Sequence, residues 1–161
     1  EALSAFKSNL VDPDGKLDNW NPSLAGPCTW HYVHCTDESV TELDLGSFKL
    51  TGQLVPQLGW LSNLKELALY NNNITGTIPP ELENLVNLKR LDLSLNNLTG
   101  PIPDTLGNLL NLQNLYLEFS SLRLLYMGLS ASIVLCFLAI QTLYAVTAIP
   151  AFRSLLVFLP L

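Results

Sequence analysis

Charge is the scarcest ingredient of this chain. Asp, Glu, Lys and Arg together make up 14% of it, against roughly 25% in an ordinary soluble domain. Basic residues are the fewest, 8 against 14 acidic ones, for a formal net charge of −6, and they never cluster. An acidic chain without a basic patch argues against a nucleic-acid surface. Catalytic machinery is missing too. There is no glycine-rich phosphate loop, no catalytic-loop Asp motif and no metal-binding Asp triplet. At 161 residues the chain is too short for a protein kinase domain. Asp12, Asp14, Asp18, Asp37, Glu38 and Glu42 gather towards the N-terminus, but no Ser–His or Cys–His arrangement accompanies them, so they read as charged surface. Nothing points to an enzyme, a cofactor or a metal. Residue 1 is Glu, so the sequence reads as processed or as a fragment, and the lack of a signal peptide says nothing about export.

The shortage is uneven. Residues 1–118 hold 6 basic and all 14 acidic residues, a net charge of −8, whereas residues 119–161 hold only Arg123 and Arg153. The first region is organised by a repeat. Val40, Leu64, Leu88 and Leu112 are each 24 residues apart, as are Leu43, Leu67, Leu91 and Leu115, and Leu45, Leu69, Leu93 and Leu117. Two full units read LKELALYNNNITGTIPPELENLVN and LKRLDLSLNNLTGPIPDTLGNLLN, preceded by the looser VTELDLGSFKLTGQLVPQLGWLSN. The LxL pair predicts a short strand with alternate residues in the core. Asn72 and Asn96 fall at the sharp turn after it, where a buried Asn can pair with backbone groups of the neighbouring coil. Gly76 and Gly100 permit the next bend, and Pro79 and Pro103 stiffen the return path. Leu82, Leu85, Leu106 and Leu109 line its inner side. Each buried Leu is worth roughly 1.5–3 kcal/mol, and only stacking of units buries them. The pattern predicts a leucine-rich-repeat solenoid of the α/β repeat class.

A solenoid needs end caps. At the front, Leu3, Phe6 and Leu10 share one face of a predicted helix ended by Pro13 and Gly15. Trp20 and the segment CTWHYVHC follow. Cys28 and Cys35 in so small a cap point to a disulfide and an oxidising compartment. The rival is a metal site from Cys28, His31, His34 and Cys35, too crowded for a tetrahedral ion. Two sequons, Asn73-Ile74-Thr75 and Asn97-Leu98-Thr99, lie one repeat apart, each beside an inward Asn, and predict outward-facing glycosylation acceptors. At the back, the pattern stops within its fourth unit: Ser120, Leu124 and Met127 stand where Asn, Gly and Pro belong. Residues 124–152 carry no charge over 29 positions, and about 20 apolar residues span a bilayer. The organisation expected is therefore a cap over 1–39, repeats over 40–117 (three full, one partial) and an apolar tail over 118–161. A transmembrane helix is expected over 124–149, closed by Pro150, with Cys136 as a buried free thiol.

The residues NLVDPDGKLDNWNPSLAGPCTWHYVHC, GQLVPQLGWLSNL, LYNNNITGTIPPELENL and LDLSLNNLTGPIPDTLG resemble the plant leucine-rich-repeat receptor kinase ectodomain, in particular the somatic embryogenesis receptor kinase (co-receptor) family and its small secreted relatives. The resemblance covers about three quarters of the chain. It implies 24-residue plant-type repeats behind a helical, disulfide-linked N-terminal cap. It also implies a non-enzymatic co-receptor at the cell surface or secreted, whose cap and inner surface clamp a small hormone or peptide held by a larger leucine-rich-repeat receptor kinase. Position by position, the implied cap surface is Ser23, Ala25, His31 and Tyr32, and the implied concave surface includes Glu66, Tyr70 and Ser94. Tyr70 matches the family. His31 and Tyr32 depart from its aromatic-then-His order after CTW, and Glu66 and Ser94 replace positions that are usually Tyr. The tail departs throughout.

Three functions compete. A kinase-less co-receptor would bind without signalling and act as a decoy. An inhibitor of a secreted cell-wall hydrolase resembles longer solenoids, and so few repeats offer too little surface for an interface of ~800 Å² per partner. A truncated or mis-spliced product would expose Leu109, Leu112, Leu115 and Leu117 at an uncapped end.

Overall fold

The structure, a computed structural model, describes residues 1–23, 25–117 and 146–147. It opens with helix α1 (Ala2–Ser8) and strand β1 (Leu10–Val11). After a 3₁₀ turn (Pro27–Thr29) come β2 (Val33–Thr36), β3 (Ser39–Asp44) and β4 (Thr51–Gln53). The repeats then alternate β5 (Glu66–Ala68), β6 (Asn73–Gly76), β7 (Arg90–Asp92), β8 (Asn97–Leu98) and β9 (Asn114–Tyr116) with 3₁₀ turns at Pro56–Trp60, Pro80–Asn84 and Asp104–Asn108. The last described strand is β10 (Val146–Thr147).

Each 24-residue step builds one coil. β3, β5, β7 and β9 pair in parallel, with Leu43, Leu67, Leu91 and Leu115 in register. β4, β6 and β8 form a second parallel ladder on another side of the coils. The repeat leucines, including Leu82, Leu85, Leu106 and Leu109, form one buried core with the cap's Leu3, Phe6, Leu17, Trp20 and Trp30.

The Asn positions carry the turns as expected. Asn72 accepts from the N–H groups of Phe48 (3.1 Å) and Leu50 (2.9 Å) and donates to the carbonyls of Leu45 (2.8 Å), Leu69 (3.0 Å) and Tyr70 (3.3 Å). Asn96 repeats this one coil on, accepting from Ile74 and donating to Leu69, Leu93 and Ser94. The residue before each, Asn71 and Leu95, takes the left-handed conformation that the sharp turn needs, with φ of 53° and 54°, and Ser47 takes it (φ 63°) at the equivalent place one coil earlier, before Phe48.

Two expectations need correction. The N-terminal helix ends at Ser8, well before Pro13 and Gly15. Leu10 is not on its face but in β1, antiparallel to β4 with Leu10 opposite Gly52. The backbone gains a strand partner there, and Asn9 donates to the Gln53 carbonyl at 2.8 Å. Gly52 allows this: its φ is 130°, and a Cβ would collide with the Asn9 carbonyl. The second correction concerns the open end. Leu109, Leu112, Leu115 and Leu117 are not exposed; all four are buried, because their side chains face the interior of their own coil. The helix expected over 124–149, and Cys136 within it, lie outside the described residues, except that Val146 and Thr147 are strand. Among the described residues no helix is long and apolar enough to cross a membrane.

Candidate recognition surface

The cap is held from beneath. The indoles of Trp20 and Trp30 stack, centroids 5.3 Å apart at 22°, and each ring N–H is satisfied: Trp20 Nε1 donates to the His31 carbonyl (2.9 Å) and Trp30 Nε1 to that of Ala25 (3.2 Å). Asn19 receives the His31 N–H at 3.0 Å. Cys28 and Cys35 are bridged, so both sulfurs are committed and the metal reading of Cys28, His31, His34 and Cys35 is closed. With indoles and bridge fixed, the following residues are pushed outward. His31 and Tyr32 are exposed.

Tyr32 anchors a ledge. Its backbone is left-handed, φ 66°, a conformation that costs an L-residue roughly 1–2 kcal/mol and is held where surrounding contacts over-determine it. Here the Asp44 N–H donates to the Tyr32 carbonyl at 3.1 Å. The Tyr32 ring leans on Phe48 at 4.6 Å, and His31 meets Tyr32 edge-on at 5.9 Å. The Lys16 ammonium sits 5.7 Å from the Phe48 centroid, within cation–π range. Left-handed Ser47 and Lys49 flank Phe48, and the Phe48 N–H is tied to Asn72. The geometry of the repeat turn thus aims Phe48 at Tyr32. Tyr70 continues towards the repeats. Its ring covers Gly46 so closely that a Cβ there would fall inside it, and its carbonyl accepts the Ser47 N–H at 2.9 Å.

The solvent face of the strand sheet is a charge network. Register places Glu42, Glu66, Arg90 and Asn114 in one row, and Asp44, Ala68, Asp92 and Tyr116 in the next. Arg90 pairs with Glu66 at 2.5 Å and with Asp92 at 2.9 Å, and its guanidinium lies 5.4 Å from the Tyr116 centroid. Burial pulls the Arg90 pKa down, but the Glu66 hydrogen bond and charge, helped by Asp92, raise it above its ordinary value. Asp92 also accepts from the Ser94 hydroxyl at 2.6 Å and the Ser94 N–H at 3.2 Å.

The expected surface therefore divides. His31, Tyr32 and Tyr70 stand along the ledge and the edge of the sheet. Glu66 and Ser94 lie on the sheet, but both are engaged, Glu66 by Arg90 and Ser94 by Asp92. Ser23 is exposed in a turn closed by Asn21. Ala25 is half-buried in a separate shallow cleft with Ala2, Leu3, Pro22, Trp30 and Leu61. Phe48, Lys16, Arg90 and Tyr116 were not foreseen. The repeat step held a signal for one of them, because it puts Glu66 directly beside Arg90, and opposite charges on neighbouring strands attract. Phe48 carried none beyond being aromatic at a variable position. Asn73 and Asn97 are exposed on β6 and β8.

Residues 1–36 match the leucine rich repeat N-terminal domain family, and residues 62–104 match leucine rich repeats (2 copies). Leucine-rich repeat protein 1 of Oryza sativa subsp. japonica is 53% identical over 71 residues, covering 44% of this chain and 33% of that protein. Leucine-rich repeat protein 1 of Arabidopsis thaliana is 50% identical over the same length. The chain spans about a third of the length of these curated relatives. A chain in the BIR3–SERK2 complex from Arabidopsis thaliana superposes with a TM-score of 0.65 at 30% identity, over 76% of this chain and 68% of that one. The receptor kinase HAESA of Arabidopsis, solved with the peptide hormone IDA and the co-receptor SERK1, superposes with a TM-score of 0.65 at 39% identity, over 76% of this chain and 21% of that one. The chain belongs to the plant leucine-rich-repeat ectodomain family. Ectodomains of this family are typically non-enzymatic recognition modules.

Proposed function

We propose that this chain is a co-receptor-like recognition module, resembling the somatic embryogenesis receptor kinases, that pairs with a larger leucine-rich-repeat receptor kinase and its small hormone or peptide ligand. The observation that carries this is the ledge of His31, Tyr32 and Phe48, continued by Tyr70 over Gly46. Rigid aromatic side chains carry much of the energy of protein interfaces, and this ledge is pre-organised by strained backbone and the cap disulfide. The solved complexes of the BIR3–SERK2 and HAESA–SERK1 ectodomains support pairing between proteins of this class. Glu66 and Ser94 act in this reading through the Arg90 network, whose single cation stands among the carboxylates of Glu42, Glu66, Asp44 and Asp92, so that the face offered to the partner is net acidic. Ser23 and Ala25 form a lesser contact at the cap. One form of this reading is a decoy: a protein that pairs in this way without a kinase of its own occupies a receptor without signalling.

The disulfide supports a secretory route, and exposed Asn73 and Asn97 are its expected glycan acceptors. In this reading the protein works at the cell surface or outside the cell. Plasma-membrane anchorage through residues 124–149 is one fate for the tail in this reading.

The test is ligand-dependent binding. The secreted chain is presented to a panel of plant leucine-rich-repeat receptor ectodomains, the HAESA ectodomain among them, with and without their peptides. Pairing should appear only with peptide present and weaken at least ten-fold in Tyr32→Ala and Tyr70→Ala. Pairing that survives both substitutions, or capture of a secreted hydrolase without any receptor, sinks the reading.

A further inference from the structure

We propose that the cap-side half of the sheet's solvent face binds an arginine of an extended peptide, with Asp44 between Tyr32 and Tyr70 as the carboxylate that receives it. This rests on the reading of the chain as a peptide-recognition module and names the chemistry that the module takes. One row of side chains on that face is symmetrical. Across the strands it runs Tyr32, Asp44, Ala68, Asp92, Tyr116, with Tyr32 joined from just before β2 by the Asp44 N–H at 3.1 Å. Ala68 at the centre is buried and sets only a methyl group between the halves. The two aspartates are held alike. Asp44 Oδ1 accepts the Gly46 N–H at 3.1 Å, and Asp92 Oδ1 accepts the Ser94 N–H at 3.2 Å. Each keeps its Oδ2 for a further donor. In the far half that donor is Arg90. Its guanidinium reaches Asp92 Oδ2 at 2.9 Å, pairs with Glu66 and lies 5.4 Å from the Tyr116 centroid. In the cap-side half, Glu42 stands two residues before Asp44, the place that Arg90 holds before Asp92. Glu42 and Asp44 are exposed, and among the described residues neither has an ion pair, His34 opposite Glu42 included.

The molecule thus builds one frame twice and shows, with Arg90, what the frame holds. A planar guanidinium suits it better than an ammonium, because it donates to two carboxylates at once and stacks on an aromatic ring. The ring on offer beside Asp44 is Tyr70, which lies over Gly46, the residue whose N–H Asp44 accepts. Charge agrees. The carboxylates of Glu42, Asp44, Glu66 and Asp92 share the face with the one guanidinium of Arg90, so a cation is drawn to it and an anion repelled. Size decides what carries the cation. Neighbouring strands stand about 4.8 Å apart and an extended chain rises about 3.3 Å per residue. The row from Tyr32 to Tyr116 is therefore about 19 Å long and matches about six extended residues. That is the footprint of a peptide, well short of the ~800 Å² that a folded partner covers.

The test uses the full chain, secreted from plant cells and labelled with ¹⁵N. The probes are three six-residue peptides of serine and alanine that differ at one central position: arginine, lysine or citrulline, the last a neutral copy of arginine. Each is titrated to about 10 mM while the amide signals of Asp44, Gly46 and Glu66 are followed. The arginine peptide should move these signals and bind at least five-fold more tightly than the citrulline peptide, with lysine between them. Asp44→Asn keeps the Oδ1 acceptor for Gly46 and should weaken the arginine peptide at least five-fold while leaving the citrulline peptide unmoved. Asp37→Asn removes a carboxylate from the turn between β2 and β3, off this face, and should change the arginine peptide less than two-fold. Equal binding of the arginine peptide and either of the others overturns the proposal. So does no shift at those amides, or an equal loss in Asp44→Asn and Asp37→Asn, which would show net charge alone at work. A chain that takes the arginine peptide and pairs with no receptor keeps this proposal and loses the co-receptor reading. Receptor pairing untouched by Asp44→Asn, with the arginine peptide unbound, does the reverse.

Discussion

The coil interior and the cap ledge are made in opposite ways. In the interior the turn-forming polar groups find partners one repeat away, and identity at a 24-residue step repeats the geometry. Leu69 illustrates this, its carbonyl shared by the amides of Asn72 and Asn96. On the ledge only the left-handed turn at Ser47 follows the repeat. Tyr32, Ser47 and Lys49 hold left-handed backbone, and the aromatic rings touch each other beside solvent. The difference teaches where stability and recognition lie. A periodic pattern stabilises the coils and says little about partners, while the irregular junction between cap and first coil holds the shape a partner could read.

The comparison breaks most completely at Asn72. Replacing it with Ala strands the amides of Phe48 and Leu50 and the carbonyls it now serves. A buried polar group left unsatisfied costs about 1–3 kcal/mol, so the total loss should be roughly 3–5 kcal/mol, a large part of a domain's stability. The measurement is the denaturant midpoint of the secreted chain. Because the Phe48 N–H is one of the groups released, this variant should disturb the ledge as well. A shift below about 1 kcal/mol would mean that water replaces the Asn, and that interior and ledge are not coupled through it.

Much of the interior was legible because burial, turn and bend each demand one residue type at one place. Leu93, Asn96 and Gly100 could hardly be exchanged without loss. Leu10 was misread because its spacing fits a helix face, whereas the decisive partner, the backbone beside Gly52, is 42 positions away in sequence. The expectation of bare leucines at Leu115 and Leu117 failed because both belong to the same buried core as the leucines of the earlier coils. The ledge was half legible. His31, Tyr32 and Tyr70 could be placed by resemblance, but the strain at Tyr32 and the arrival of Phe48 depend on how the cap meets the first coil. Glu66 lies on the sheet engaged by Arg90, a partner that the resemblance does not supply and the 24-residue step does.

A smaller effect is expected on the sheet face. Arg90→Ala frees Glu66 and takes the guanidinium from Asp92, whose side chain is only 9% exposed. Ser94 still donates to Asp92, so the loss should be about 1–2 kcal/mol. Its pH dependence has a defined sign. A group whose folded pKa is raised contributes stability that is complete below its unfolded pKa and lost as pH rises through the folded one. For an arginine both lie far above neutrality. The difference between Arg90→Ala and the unaltered protein, followed by chemical denaturation, should therefore be flat between about pH 6 and pH 9. A difference that shrinks steadily across that range would point to a titrating neighbour in place of Arg90.

The smallest stability effect is expected where the largest binding effect lies. Tyr32→Gly removes the penalty of about 1–2 kcal/mol for left-handed backbone and also removes the ring contact with Phe48, worth about 0.5–1.5 kcal/mol. Glycine adds freedom to the unfolded chain as well. These terms nearly cancel, so the denaturant midpoint should stay within about 1 kcal/mol of the unaltered protein. Receptor pairing should nonetheless fall by ten-fold or more, since truncating an aromatic anchor at an interface commonly costs about 2 kcal/mol. A stabilised protein that still pairs would show that the strain at Tyr32 serves the cap's own geometry. A destabilised one would show that the ring is an extension of the core, joining through Phe48 the interior from which the ledge has been distinguished.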